Sequence, residues 1–276
     1  MSGLTRSRIF QGDGKINEVK VYQWSPVKGC DFFHKECPVN DCWAAKAARL
    51  HAKPWAESEN LYRVNKLVMP ESKDAYENFR SFTPQFLESM FDKDFPSGSI
   101  ILVGWQSDFA CWKPEWKKRV IQRIKDDNID AAMPGEKQNV FLFLSKFPGK
   151  AYDIDMPSNC WKGWTITSPT DYWSNLDHNY YKGGNKTFMF LEPLIKNFFF
   201  ECRGKLTDWV IVGGETGNNA RPLKPEGIER IVHNAKSQGI PLWFKGWGKR
   251  LPAGQDFSGD TIDGKIYHET PDWWKK

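Results

Sequence analysis

Cys30, Cys37 and Cys42 fall within thirteen residues, spaced C-x6-C-x4-C. Thiolates bind iron and zinc strongly, and three of them converging from one short loop would hold a metal centre with one coordination position left open. The loop is polar and is broken by Gly29 and Pro38, which makes it a poor place to bury thiols as small hydrophobes. Two rival readings stand beside an iron-sulfur cluster held by three cysteines. The thiols could be packed free cysteines, or His34 could complete a Cys3His structural zinc set. Zinc loops usually draw two ligand pairs from separate segments, whereas here all four would come from one.

Further polar residues follow apolar runs. Ser107 and Asp108 follow the run at 99–104, Lys146 follows 140–144, and Glu192 follows 187–191. Gly213, Gly214 and Glu215 follow 208–212, and Lys245 follows 240–244. Each has a plain structural role as its alternative. Asp108 could cap the next helix, Glu192 could pair with Lys146 or Arg221, the glycines could simply allow a tight turn, and Lys245 could be a solvated residue. In the functional reading, the glycine N–H groups approach a ligand closely while Glu215 accepts from an amine or hydroxyl.

The elements that must position these residues alternate in type. Residues 18–24 alternate with period two, as a strand does. From residue 41 the run DCWAAKAARLHAK has helical composition and places Cys42 in a first turn, where free N–H groups favour a thiolate. A strand is expected at 66–69, a helix at 83–91, and buried strands at 99–104 and 140–144. A helix opens at Pro114 with Trp116, Val120, Ile121 and Ile124 on one face. Then come strands at 163–167, 187–191, 208–212 and 240–244, with helices at 170–176 and 225–237. Strand and helix in alternation imply an α/β fold, a complete or partial (βα) barrel of parallel strands. In such barrels function collects at the C-terminal strand ends. Cys30, Asp108, Lys146, Glu192, Glu215 and Lys245 would then share one mouth. Residues 1–17 read as a leader, 18–248 as one barrel domain and 249–276 as a tail packed on the body. The pattern leaves open whether 53–97 belongs to the barrel or forms a cap.

The chain has 276 residues, enough for a full core in a single domain. No apolar run reaches the length of a membrane span, and the first residues lack a signal-peptide core, so a cytoplasmic protein is expected. In a reducing compartment six cysteines argue for metal binding or free thiols over disulfides. Cys111, Cys160 and Cys202 are scattered and read as packing residues. A net charge of +5 is compatible with a polyanionic partner. Trp55, Trp105, Trp112, Trp173, Trp247, Trp273 and Trp274 sit in expected loops, where indole faces could stack on bases.

The succession SPVKGC, C-x4-C-W-A, QSDF, SKFP, LEPL, DWVIVGGETGNNARPL and PLWFKGWG resembles a phage-associated family of three-Cys-motif proteins of largely unknown function, similar to radical S-adenosylmethionine (radical SAM) enzymes. The resemblance spans residues 24–248 and implies a radical SAM-like barrel. It implies that Cys30, Cys37 and Cys42 hold three irons of a [4Fe-4S] cluster whose fourth iron takes S-adenosylmethionine, with Trp43 shielding the cluster. Reduction would yield a 5′-deoxyadenosyl radical that abstracts hydrogen from an unreactive carbon. Ser107, Asp108, Glu192, Gly213, Gly214 and Glu215 would grip the cofactor, and Lys146 and Lys245 would serve the substrate or manage charge. The implied partners are a reductase or flavodoxin-type electron donor and a nucleic acid or nucleotide substrate, in host cytoplasm if phage-encoded. The substrate would be a nucleobase modified or rearranged during DNA hypermodification. The alternative is a non-catalytic nucleic-acid-binding protein with a Cys3His zinc loop.

Overall fold

The computed structural model describes residues 4–7, 10, 15–16, 18–31, 37, 42, 44–45, 82–130, 137–170, 182–196, 206–216, 220–251 and 259–271. The chain folds into two compact units, Met1–Phe143 and Leu144–Lys276. The expected strand at 66–69, all but the first residue of the helix at 170–176, most of the helix from residue 41, His34, Trp43 and Cys202 lie outside the described residues.

The first unit is built on strand β3 (Val19–Trp24), with the short strands β1 (Thr5–Arg6) and β2 (Lys15–Ile16) pairing antiparallel to it. After β3 the short strand β4 (Val27–Lys28) pairs antiparallel with β5 (Gln85–Phe86). A helix expected over 83–91 is confined to the single turn Glu88–Phe91. Pro84 carries no N–H, Gln85–Phe86 pairs with β4, and Leu87 N donates to Pro26 O at 2.8 Å, so the chain stays extended until residue 87.

Strand β6 (Ile100–Val103) pairs parallel with β3 in the register Val21↔Ile100 to Trp24↔Val103. Strand β7 (Val140–Ser145), inside which the unit boundary falls, pairs parallel with β6. All four residues of β6 are buried, as expected of a continuous apolar run in a parallel sheet. Helix α1 (Pro114–Asp130) joins β6 to β7, burying Val120, Ile121 and Ile124 and exposing Lys118, Arg119 and Gln122. At the opposite end of the strands the Asn139 amide accepts from Ser99 N at 2.8 Å and donates to the Asp127 carboxylate at 3.1 Å, tying helix to sheet.

The described residues of the second unit include four parallel strands, β8 (Cys160–Thr165), β9 (Thr187–Leu191), β10 (Trp209–Gly213) and β11 (Leu242–Gly246), each pairing with the next. β8 starts three residues earlier than its sequence signal, because Trp161 and Trp164 are as buried as the apolar run that follows. Helix α2 (Pro225–Ser237) buries Ile228, Ile231, Val232 and Ala235, the spacing of one apolar face. β11 starts two residues later than expected. Ile240 N donates to Ala235 O at 2.8 Å to close the helix, and Pro241 offers only a carbonyl, which accepts from Val210 N. Lys245 therefore lies within the strand. The segment 259–271 carries the hairpin β12 (Thr261–Ile262) and β13 (Lys265–Ile266) and runs beside β11, with Phe244 N donating to Tyr267 O at 2.7 Å and Glu269 N to Leu242 O at 2.9 Å. His268 stacks on Trp243 with centroids 4.4 Å apart.

The alternation of parallel strands and helices is thus present in both units. Among the described residues no helix is long and apolar enough to cross a membrane.

Candidate functional site

In the first unit the cysteine loop leaves the C-terminal end of β3 and is pinned at its base. Gly29 has φ of 91°, and a Cβ there would run into the Thr83 carbonyl. Gly29 N donates to Gln106 O at 3.3 Å and Cys30 N to Phe82 O at 2.8 Å. The backbone beside Cys30 is thus held from two directions before any ligand enters. Cys30 and Cys42 both pack against the cluster of Ala44, Ala45 and Phe82. Cys30, Cys37 and Cys42 are half-buried and in the reduced, thiol form.

The turn after β6 arrives at the same edge. Gly104, with φ of 68°, donates to Trp24 O at 2.8 Å, and the Trp112 ring occupies the space where its Cβ would stand. Trp112 Nε1 donates to Ser107 Oγ at 2.9 Å, so the Ser107 hydroxyl holds the turn together. Asp108 caps the turn Phe109–Cys111, its carboxylate accepting from Ala110 N at 3.0 Å.

That turn delivers Cys111, whose scattered position in the sequence suggested packing alone. The Cys111 thiol donates to the Asp108 carbonyl at 2.9 Å and lies 3.7 Å from Ser107 Oγ. The neighbouring Cys111 side chain, reinforced by burial, pushes the Cys30 thiol above its ordinary range. The Cys30 side chain, with help from the Asp31 backbone and against burial, lowers Cys111. The available sequence signal was its position seven residues beyond the apolar run 99–104, on the loop already carrying Ser107 and Asp108.

Among the described residues no three His, Cys, Asp or Glu side chains are gathered closely enough to hold a metal ion. The donor chemistry nevertheless suits an iron-sulfur cluster. Three reduced thiols follow one strand end, none is fully buried, and two share one apolar patch. Binding would require Cys37 and Cys42 to draw together with Cys30.

In the second unit Glu192, Gly213 and Lys245 meet at the ends of β9, β10 and β11. Lys245 Nζ donates to Glu192 Oε2, with the two side chains only 15% and 19% exposed. The pair fronts a cavity of about 480 Å³, whose walls also include Gly214, Thr216, Trp247, Lys249 and Asp260. Lys249 and Asp260 were absent from the sequence candidates. The GWGK run after Lys245 was the available signal for the first, and nothing marked the second.

Glu215 and Gly214, both expected at a ligand, are also engaged by the protein itself. Glu215 accepts from Arg221 N at 2.9 Å, Nε at 3.0 Å and Nη2 at 3.0 Å, a bidentate clamp closing residues 215–221, and its carboxylate raises the guanidinium pKa. A Cβ on Gly214 would sit on the Trp247 carbonyl, and one on Gly248 on the Glu215 carbonyl. Glycine is therefore required at both positions by the approach of two backbones, whatever occupies the cavity. Lys146 follows β7 directly and is half-buried.

The fold and site define an α/β protein of parallel strands with thiols at one strand edge and an ion pair over a cavity at another. The chain belongs to the family described as a protein of unknown function, DUF5131, whose model matches residues 15–271. No curated protein and no solved structure matches it.

Proposed function

We propose that this chain is a radical SAM enzyme with a partial (βα) barrel fold, in which Cys30, Cys37 and Cys42 hold a [4Fe-4S] cluster. The observation that carries the reading is the set of three half-buried, reduced thiols following the C-terminal end of β3, where α/β proteins gather their chemistry. When bound, the cluster and S-adenosylmethionine supply the difficult step, one-electron cleavage of the sulfonium to a hydrogen-abstracting 5′-deoxyadenosyl radical.

The chain's own residues position and shield. The Gly29 and Cys30 backbone holds the first thiolate in place. Ser107 and Asp108 shape the neighbouring turn, and Trp43 follows the last cysteine. In the second unit, Glu192 and Lys245 present one negative and one positive group to their own cavity, suited to a charged ligand. The substrate class in this reading is a nucleobase, altered at an unreactive carbon during phage DNA modification, with electrons supplied by a reductase or a flavodoxin-type protein.

The test is anaerobic purification followed by metal analysis. A brown protein with iron and sulfide, both lost in Cys37→Ala, is the expected result. A colourless protein carrying one zinc, lost equally in His34→Ala and Cys37→Ala, would replace this reading with a structural Cys3His loop.

A further inference from the structure

Among the described residues, the side chains of Lys245 and Glu192 have each other as their only hydrogen-bonding partner. Lys245 Nζ carries three N–H groups and gives one to Glu192 Oε2, while Glu192 Oε1 accepts from none of the described residues. Two N–H groups and one carboxylate oxygen therefore remain, on side chains only 15% and 19% exposed. Charged groups this far from water are costly to leave with hydrogen-bonding capacity unused. The Glu215 carboxylate is the contrasting case, since Arg221 takes both of its oxygens. What Lys245 and Glu192 keep in reserve faces the cavity of the second unit.

The cavity wall sets the charge of what enters. Its four charged side chains are two ammonium groups, Lys245 and Lys249, and two carboxylates, Glu192 and Asp260. A lone anion would face both carboxylates and a lone cation both ammonium groups, whereas a ligand carrying one charge of each sign meets a counter-charge at either end. In an α-amino acid the ammonium and carboxylate flank a single carbon. Both therefore reach a Glu–Lys pair whose own charges are in contact. The cavity, about 480 Å³, is far larger than such a head group and leaves room for a large side chain.

We propose that this cavity binds a free α-amino acid with a large side chain, its ammonium on Glu192 and its carboxylate on Lys245. The proposal rests on the reading of the cavity as a charged-ligand site and needs no cluster in the first unit.

The test uses the full chain as purified, without added iron, and a mixture of leucine, methionine, arginine, phenylalanine, tyrosine and tryptophan screened by saturation-transfer NMR. Any binder is then titrated calorimetrically beside its N-acetyl and carboxamide derivatives. The expected result is that at least one amino acid binds, and that removing either head-group charge weakens it by about tenfold or more, the scale of one lost charge-assisted hydrogen bond. Glu192→Gln combined with Lys245→Met, in which neither charge is left without its partner, should fold, as a thermal melt reports, and bind none of them. Derivatives that bind as well as the parent would overturn the proposal whether or not that variant folds. Binding that survives in the folded double variant, no binding by any of the six, or binding confined to S-adenosylmethionine would overturn it too. Amino-acid binding in a protein that never takes up iron would uphold this site and sink the cluster, and 5′-deoxyadenosine formation without amino-acid binding would do the reverse.

Discussion

Lys245 and Glu192 join across the end of β10, and the residue between them is Gly213. A Cβ at Gly213 would stand 3.3 Å from Glu192 Cδ and 3.3 Å from Lys245 Cβ. Glycine at the end of the middle strand lets the flanking side chains of β9 and β11 meet above it. The ion pair at the cavity is therefore a product of strand order as much as of charge.

Removing one partner strands the other. Lys245→Met should lower unfolding stability by about 3 kcal/mol, since a largely buried carboxylate loses its counter-charge. Glu192→Gln combined with Lys245→Met should recover much of that loss. Urea denaturation of the two single variants and the double variant checks this, and additive losses would show that the pair is not coupled.

The two neighbouring glycines should respond differently to alanine. Gly213→Ala meets only side-chain atoms at tight contact and should cost about 1 kcal/mol, whereas Gly214→Ala meets the Trp247 carbonyl and should cost about 3 kcal/mol or prevent folding. Thermal melts distinguish them; equal losses would mean the backbones that follow β10 and β11 yield more readily than their contacts indicate.

Cys160 is fully buried, and burial pushes its thiol above the ordinary 9.0. The raised folded-state pKa leaves stability intact while pH stays below the unfolded value. Above about pH 9 the unfolded chain ionises and the folded chain does not, so stability falls as pH climbs toward the folded-state pKa. Cys160→Ala should flatten this alkaline limb at the cost of a small cavity. Stability measured from pH 7 to 10.5 in both proteins checks it, and parallel limbs would refute it.

Strands and helices with a strong apolar period were legible from sequence: β9 and α2 lie where the pattern puts them. Elsewhere tertiary partners overrode local composition. Residues 83–91 have helical side chains, yet Pro26 and β4 hold the first half extended. β11 slipped by two residues because a helix C-terminus and Pro241 claimed its first positions. At the site, residue types were legible and partners were not. Glu192 was expected to meet Lys146 or Arg221, but Arg221 binds Glu215 and leaves Glu192 to Lys245. Cys111 stands outside the C-x6-C-x4-C spacing, and only the parallel pairing of β3 with β6 brings the loop that carries it to the same sheet edge as the cysteine loop.

The most direct measurement for the central claim is anaerobic reconstitution with iron and sulfide, followed by chemical reduction in the presence of S-adenosylmethionine and assay for 5′-deoxyadenosine. Wild-type protein should produce 5′-deoxyadenosine and Cys37→Ala should produce none. A reconstituted, reduced wild-type protein that leaves S-adenosylmethionine intact would contradict the account.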